Sequence, residues 1–265
     1  AWTDLPGGVP DADDTSGAVA ALASLQMADG GPPSREVAAA ATAGIAWLVQ
    51  LTNRDGGVPT FCRGWGRLPF DTSCPDITAH ALRAFDAWAA LPGGRMAGAT
   101  ERARRAAVRY LESTRRPDGS WVPLWFGNEH EARQENPVYG TAKVVLATGD
   151  AGGAAWLVEA MRADGGVGGG PGLQPSVEET AVAVEALARF VTVSTDASLA
   201  RQRSLAAEAV GRGVRWLLEA TAGGRSFPSA PIGLYFAKLW YAEELYPVVF
   251  TVAALERAST VRPDR

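Results

Sequence analysis

Apolar residues recur along this chain at helical spacing, in two kinds of segment that alternate. One kind ends near an aromatic-Leu dipeptide, at Trp47-Leu48, Tyr110-Leu111, Trp156-Leu157 and Trp216-Leu217. A polar residue stands three positions after each aromatic (Gln50, Ser113, Glu159, Glu219), and Asp-Gly pairs at Asp55-Gly56, Asp118-Gly119 and Asp164-Gly165 close three of the four. This is the pattern of a helix stopped by a turn. Charges interleave with apolar positions from Glu101 to Leu111, which predicts outer helices with one wet face. The other kind opens on a Thr among small residues, at Thr15-Ser16, Thr78-Ala79, Thr141-Ala142 and Thr180-Ala181. It continues apolar on most sides, as from Gly17 to Leu22 and from Ala181 to Val184, which predicts enclosed, inner helices. Recurring units of this kind mark a repeat architecture. About ten helical segments joined by Gly- and Pro-rich loops fill the length, and no convincing run of alternating β-branched residues appears. The expected fold is all-α: an α/α toroid (an α6-α6 barrel) of inner and outer helices, forming a single domain over residues 1–265.

Composition narrows the chemistry. With 47% hydrophobic and 8% aromatic residues, 265 positions support a substantial core. A net charge of −4 and the absence of any Lys or Arg run argue against a nucleic-acid partner. Cys62 and Cys74 form no Cys-x-x-Cys pair, and His80 and His130 are the two histidines, so no metal site of the chain's own is expected. Free thiols, no basic and apolar leader, and no uninterrupted apolar stretch of roughly twenty residues predict a cytoplasmic protein. The glycine-rich segment from Gly165 to Pro175 lacks the Gly-Lys-Ser/Thr ending of a phosphate cradle, and its glycines are assigned to chain reversal.

The candidate chemistry begins at Asp11-Ala12-Asp13-Asp14-Thr15, three carboxylates in four positions before an apolar helix. A helix start welcomes one or two acids as caps and dipole partners. Three crowd one another, and once water is excluded one of them should keep its proton, which makes it a Brønsted acid. Capping and acid chemistry both remain open at this point. Cys74-Pro75-Asp76-Ile77-Thr78-Ala79-His80 opens a second inner helix and sets Asp76 and His80 one turn apart on one face. Asn136-Pro137-Val138-Tyr139-Gly140-Thr141 opens a third and brings a phenol. Alone, His80 and Tyr139 would each be read as packing residues.

Taken in order, Asp11-x-Asp13-Asp14-Thr15, Asp76-x-Thr78-Ala79-His80, and Gly119-Ser120-Trp121 followed by Asn136-x-x-Tyr139-Gly140-Thr141 resemble the acid-bearing half of the squalene-hopene cyclases, within the class II terpene cyclases. The aromatic-Leu units look like weakened copies of that family's Gln-Trp repeats. The resemblance runs from about Ala1 to Arg257. It implies that Asp13 is the general acid that protonates a terminal alkene. It further implies that Asp11 bonds His80, that Asp76 orients the network, that Tyr139 assists reprotonation through water, and that Asp14 caps the helix. It also implies a partner N-terminal cyclase domain absent from this chain, which would then be a fragment or one part of a longer product.

The finer features are similar to copalyl diphosphate synthases: Ser176-Val177-Glu178-Glu179-Thr180, and the Leu-Trp and Leu-Tyr-Pro elements between Pro231 and Pro247. The implied substrate is geranylgeranyl diphosphate, with Mg2+ held through its diphosphate and the other domain. The alternatives are a squalene-hopene-type triterpene cyclase, a drimenyl diphosphate synthase, or a non-catalytic toroid that binds a protein. Trp125, Phe236, Trp240 and Tyr241 are candidates to line the cavity and stabilise cations. Lys143 and Lys238, the two lysines of the chain, and Arg63 or Arg67 could meet the diphosphate.

Overall fold

The computed structural model describes residues 8–66, 68–91, 98–234 and 238–261, and in it the two helix types alternate as the pattern predicts. The Thr-opened segments form α1 (Ala12–Asp29), α3 (Pro75–Ala89), α5 (Pro137–Thr148) and α7 (Val177–Val193). The aromatic-Leu segments form α2 (Arg35–Leu51), α4 (Gly98–Ser113), α6 (Ala151–Ala160) and α8 (Ala200–Ala220), and α9 (Tyr246–Ala258) follows. Helix starts are written in the sequence. The side chains of Asp11, Asn136 and Ser176 accept first-turn N–H groups, and Pro75 and Pro137 occupy positions whose N–H would have no helical partner.

Each Asp-Gly turn is built in the same way. The N–H groups of Gly56, Gly119 and Gly165 bond back to the carbonyls of Asn53, Arg116 and Arg162, all at 2.9–3.0 Å. The side chains of Asp55, Asp118 and Asp164 accept the N–H two residues on at 3.0 Å. The turn glycines have φ of +91°, +93° and +97°, a conformation that disfavours any other residue. Just past each turn a backbone N–H is latched by the threonine of the next inner helix: Val58 to Thr78 Oγ1 at 2.8 Å, Trp121 to Thr141 Oγ1 at 3.0 Å and Val167 to Thr180 Oγ1 at 3.0 Å. All three threonines are buried. Their place at the head of an inner helix is thereby explained.

The chain divides into two compact units, residues 1–114 and 115–265. In the first, α1 packs on α3 and α2, and α4 on α3 and α2, around Leu48, Leu82, Phe85 and Leu111. In the second, α7 is central, buried without a break from Val177 to Ala188 and packed on α5, α6, α8 and α9. Large apolar side chains buried in this way, such as Leu187, Phe190 and Leu217, each contribute about 1.5–3 kcal/mol.

Two expectations need correction. The inner-type helix α1 is not enclosed: Ala12, Ser16, Val19 and Ala23 form one buried stripe, while Ala18, Ala21, Leu25 and Met27 are exposed. Its small residues allow burial on any side, but its contacts with α3 and α2 use only one. The second correction is a two-stranded antiparallel hairpin, β1 (Ile232–Leu234) and β2 (Leu239–Tyr241), with Gly233 opposite Trp240.

Candidate active site

The extended backbone before α1 pairs with the loop ahead of α3: Ala12 N–H donates to Thr60 O at 2.7 Å, and Cys62 N–H to Pro10 O at 3.3 Å. This fixes Asp11 at the helix start with extended φ and ψ, where its Oδ1 accepts the N–H groups of Asp13 at 2.7 Å and Asp14 at 3.0 Å. Asp11 is therefore the cap. The role expected of Asp14 passes to it, because the capping residue must stand just outside the helix, whereas Asp14 is inside the first turn and exposed.

The packing of α1 on α3 then brings Asp13 to His80, with Oδ1 and Nδ1 2.5 Å apart. In place of the expected Asp11–His80 bond the imidazole meets Asp13, while Asp11 Oδ1 is turned to backbone N–H groups. The pair is partly open: the Asp13 side chain is 40% exposed and the His80 side chain 24%. The carboxyl group and the imidazole are thus held in hydrogen-bond contact on a partly open face.

Two further carboxyl groups border the pair. Burial pushes Asp11 up to about 6, the charges of Asp14 and Asp13 add to this, and its two N–H partners oppose it. Asp76, buried one turn before His80 on α3, is also pushed up to about 6. Burial is the main cause and the Asp13 charge contributes, against a hydrogen bond from Cys74. That thiol donates to Asp76 Oδ1 at 2.5 Å. Asp11 and Asp76 therefore hold their protons to higher pH than free aspartic acid does.

Tyr139 belongs to the second unit. It is buried, its N–H donates to Asn136 Oδ1 at 3.0 Å, and its ring stacks on Phe126 with centroids 4.4 Å apart. Lys143 Nζ lies 5.0 Å from the Tyr139 ring centroid and 5.1 Å from that of Phe250, which in turn stacks on Tyr246. Lys143 is thus set against aromatic faces. Trp125 is buried, Trp240 is half-buried in β2, Tyr241 is 37% exposed, and Lys238 is exposed with φ of +51°. Arg63 donates to the carbonyls of Leu51 at 2.7 Å and Thr52 at 2.9 Å, so its guanidinium finishes α2. Phe236 and Arg67 lie outside the described residues.

Sequence reasoning passed over Cys74, Phe126 and Phe250. The signal for Cys74 was its place before Pro75-Asp76, at the cap position of α3. Tyr246 was flagged within the Leu-Tyr-Pro element, but its approach to Phe126 had no sequence signal, because the two meet only through tertiary packing. Among the described residues no group of three or more His, Cys, Asp or Glu is placed to hold a metal ion, and no helix is long and apolar enough to cross a membrane.

Comparison with known proteins identifies the family and the fold. Squalene-hopene cyclase of Alicyclobacillus acidocaldarius is 31% identical over 163 residues, covering 52% of this chain and 21% of that protein. The structure of ent-copalyl diphosphate synthase from Streptomyces platensis matches 97% of this chain and 43% of its own, with 25% identity and a TM-score of 0.63. Type II terpene cyclase MstE from Scytonema, in complex with geranylgeranyl dihydroxybenzoate as substrate, has the same fold at 18% identity, covering 94% of this chain and 73% of its own with a TM-score of 0.63. This chain therefore spans less than half the length of the first two. The model of the squalene-hopene cyclase C-terminal domain matches residues 7–260, nearly the full length, and the chain belongs to that family.

Proposed function

We propose that this chain is the proton-donating domain of a class II diterpene cyclase, which converts geranylgeranyl diphosphate to a bicyclic copalyl diphosphate-type product. The observation that carries the reading is the Asp13–His80 contact at 2.5 Å on a partly open face, bordered by the half-buried Asp11 and the buried Asp76, both raised to about 6. The 25% identity with ent-copalyl diphosphate synthase supports the choice of substrate.

In this mechanism the Asp13 O–H bond breaks as the terminal alkene's π electrons form a new C–H bond, and the electron pair stays on the carboxylate. A His80 cation beside it stabilises that charge, which strengthens the acid at the moment of transfer. The carbocation is then consumed by the next double bonds in turn, and loss of a proton from the last cation makes the overall change an isomerisation. Trp125, Phe236, Trp240 and Tyr241 are proposed to face the cations, Lys143 and Lys238 to face the diphosphate, and Tyr139 to return a proton to Asp13 through water. Asp11 and Asp13 do not make a magnesium site: one oxygen of each is taken, by two N–H groups and by an imidazole, and among the described residues no group of three or more His, Cys, Asp or Glu is placed to hold a metal ion. Mg2+ enters the proposal as the companion of the substrate diphosphate, held with the other domain. The proposed architecture is a closed α/α toroid working with an N-terminal cyclase domain.

A squalene-hopene-type reaction is the second reading, favoured by the 31% identity over 163 residues. Incubating the full gene product with geranylgeranyl diphosphate, squalene and farnesyl diphosphate separates these readings. A bicyclic diterpene alcohol after dephosphorylation supports the first, a polycyclic triterpene the second, and a drimane product the shorter substrate. No product from any of them returns the fold to a binding role.

A further inference from the structure

A second buried carboxyl group organises the start of α7. Glu179 is 1% exposed, and its Oε1 accepts from Asn128 Nδ2 at 3.2 Å and Asn136 Nδ2 at 3.1 Å. Asn136 faces two ways, because its Oδ1 also accepts the Tyr139 N–H at 3.0 Å and so caps α5. Asn128 in turn accepts the His130 N–H at 3.0 Å and lies against Gly169, where a Cβ would come within 2.5 Å of its own. The carbonyl of Gly169 accepts the N–H of Val138, the residue before Tyr139, at 3.2 Å. Ser176 Oγ takes the Glu179 N–H at 3.0 Å, and Glu178 Oε1 accepts from the Ala230 N–H at 2.8 Å.

The two amide bonds converge on one oxygen, from the loop that carries Asn128 and from the cap of α5. Burying a carboxyl group is costly, and a leucine of similar size would pack there at lower cost. What a leucine lacks is an acceptor for two amides. The Asn128 and Asn136 side chains bracket the backbone that carries Tyr139, whose ring stacks on Phe126.

We propose that Glu179 is a positioning residue for cyclisation, setting the place of the Tyr139 ring through the Asn136 and Asn128 side chains. The inference rests on the cyclase reading given above and deepens it. Burial pushes Glu179 up to about 7, so near neutral pH a substantial share of it is the neutral acid, whose acceptor role towards the two amides glutamine can fill.

The test uses Glu179→Leu, Glu179→Gln and Asn136→Ser, the last of which keeps an oxygen for the helix cap but cannot reach Glu179. The first measurement is hydrogen exchange of the Tyr139 amide in the folded chain. Exchange should quicken at least roughly tenfold in Glu179→Leu and Asn136→Ser and stay within about threefold in Glu179→Gln, since it reports local opening at that cap. The second is turnover of the full gene product. Glu179→Leu should lower kcat at least roughly tenfold with KM within about threefold, and Glu179→Gln should restore it. Placed in a Tyr139→Phe background, Glu179→Leu should cost less than about threefold, because two residues acting through one group are not additive. Unchanged Tyr139 exchange in both disrupting variants, or kcat losses that multiply independently, would overturn the proposal. If the full gene product turns over none of the three substrates, the cyclase reading fails instead, while the exchange result still stands or falls by itself.

Discussion

The imidazole of His80 rests on the bare backbone of Gly17, where a Cβ would stand 3.5 Å from Cε1 and 3.8 Å from Nε2. A methyl group fits at that distance, and alanine also favours the helix, so Gly17→Ala should stabilise the protein by about 0.5–1 kcal/mol in thermal or urea unfolding. A larger side chain must displace the ring from Asp13. Gly17→Leu is expected to reduce cyclisation at least roughly tenfold while the protein remains folded, by loss of the oriented acid. Equal turnover in the two variants would show that the His80 position is not critical.

Asp13→Asn preserves size and hydrogen bonding but has no acidic proton to give. In the full gene product, turnover should fall by roughly two to four orders of magnitude, with substrate binding retained. His80→Ala should cost less, because it removes the support and leaves the acid. Near-normal turnover in Asp13→Asn, with unchanged products, would reduce the carboxylate cluster to a helix start.

Thr180 Oγ1 both accepts the Val167 N–H at 3.0 Å and donates to the Val167 carbonyl at 3.1 Å. Thr180→Val keeps the volume but leaves the buried Val167 N–H without this partner and its carbonyl with the Ser176 N–H alone, at an expected cost of about 1–3 kcal/mol. Thr78→Val and Thr141→Val should act in the same direction. Urea midpoints measure this, and unchanged midpoints in all three would mean that the latches carry no stability.

Burial raises Glu179 from 4.5 to about 7, and Asp11 and Asp76 from 3.8 to about 6. Between the unfolded and folded values the native chain holds more protons than the unfolded one, so stability falls as pH rises through this window. Below it the raised groups are protonated in both states and impose no penalty. Glu179→Gln should flatten the upper end, approaching pH 7, and leave the part due to the two aspartates. Unfolding followed at pH 5 and pH 8 checks this, and an unchanged difference between the two would show that Glu179 does not titrate as inferred.

The alternation of helices was legible because Thr-opened apolar segments and aromatic-Leu segments differ in which faces carry charge. The Asp-Gly turns were legible because few residues tolerate their backbone. The pairing at the candidate acid was not. Asp11, Asp13 and Asp14 are chemically alike, and the partner lies 67 positions beyond Asp13, so only the packing of α1 on α3 selects among them. The threonines were visible as a recurring mark without a reason until their bonds to the preceding turn were seen. The strands around Gly233 and Trp240 are three residues each, too short for alternation to register.

The latches also bear on the order in which the chain can assemble itself. Their partners are 20, 20 and 13 positions apart, so each closes a short loop, and the longer ones cost only about 0.4 kcal/mol more in closure entropy than the shorter. None needs a distant part of the sequence. A chain leaving the ribosome amino-terminus first can close the Val58–Thr78 latch before Trp121 has been made, and that latch waits on no later one. Contacts of such low sequence separation favour fast folding, in contrast to the Asp13–His80 pair, whose formation waits for two helices to meet.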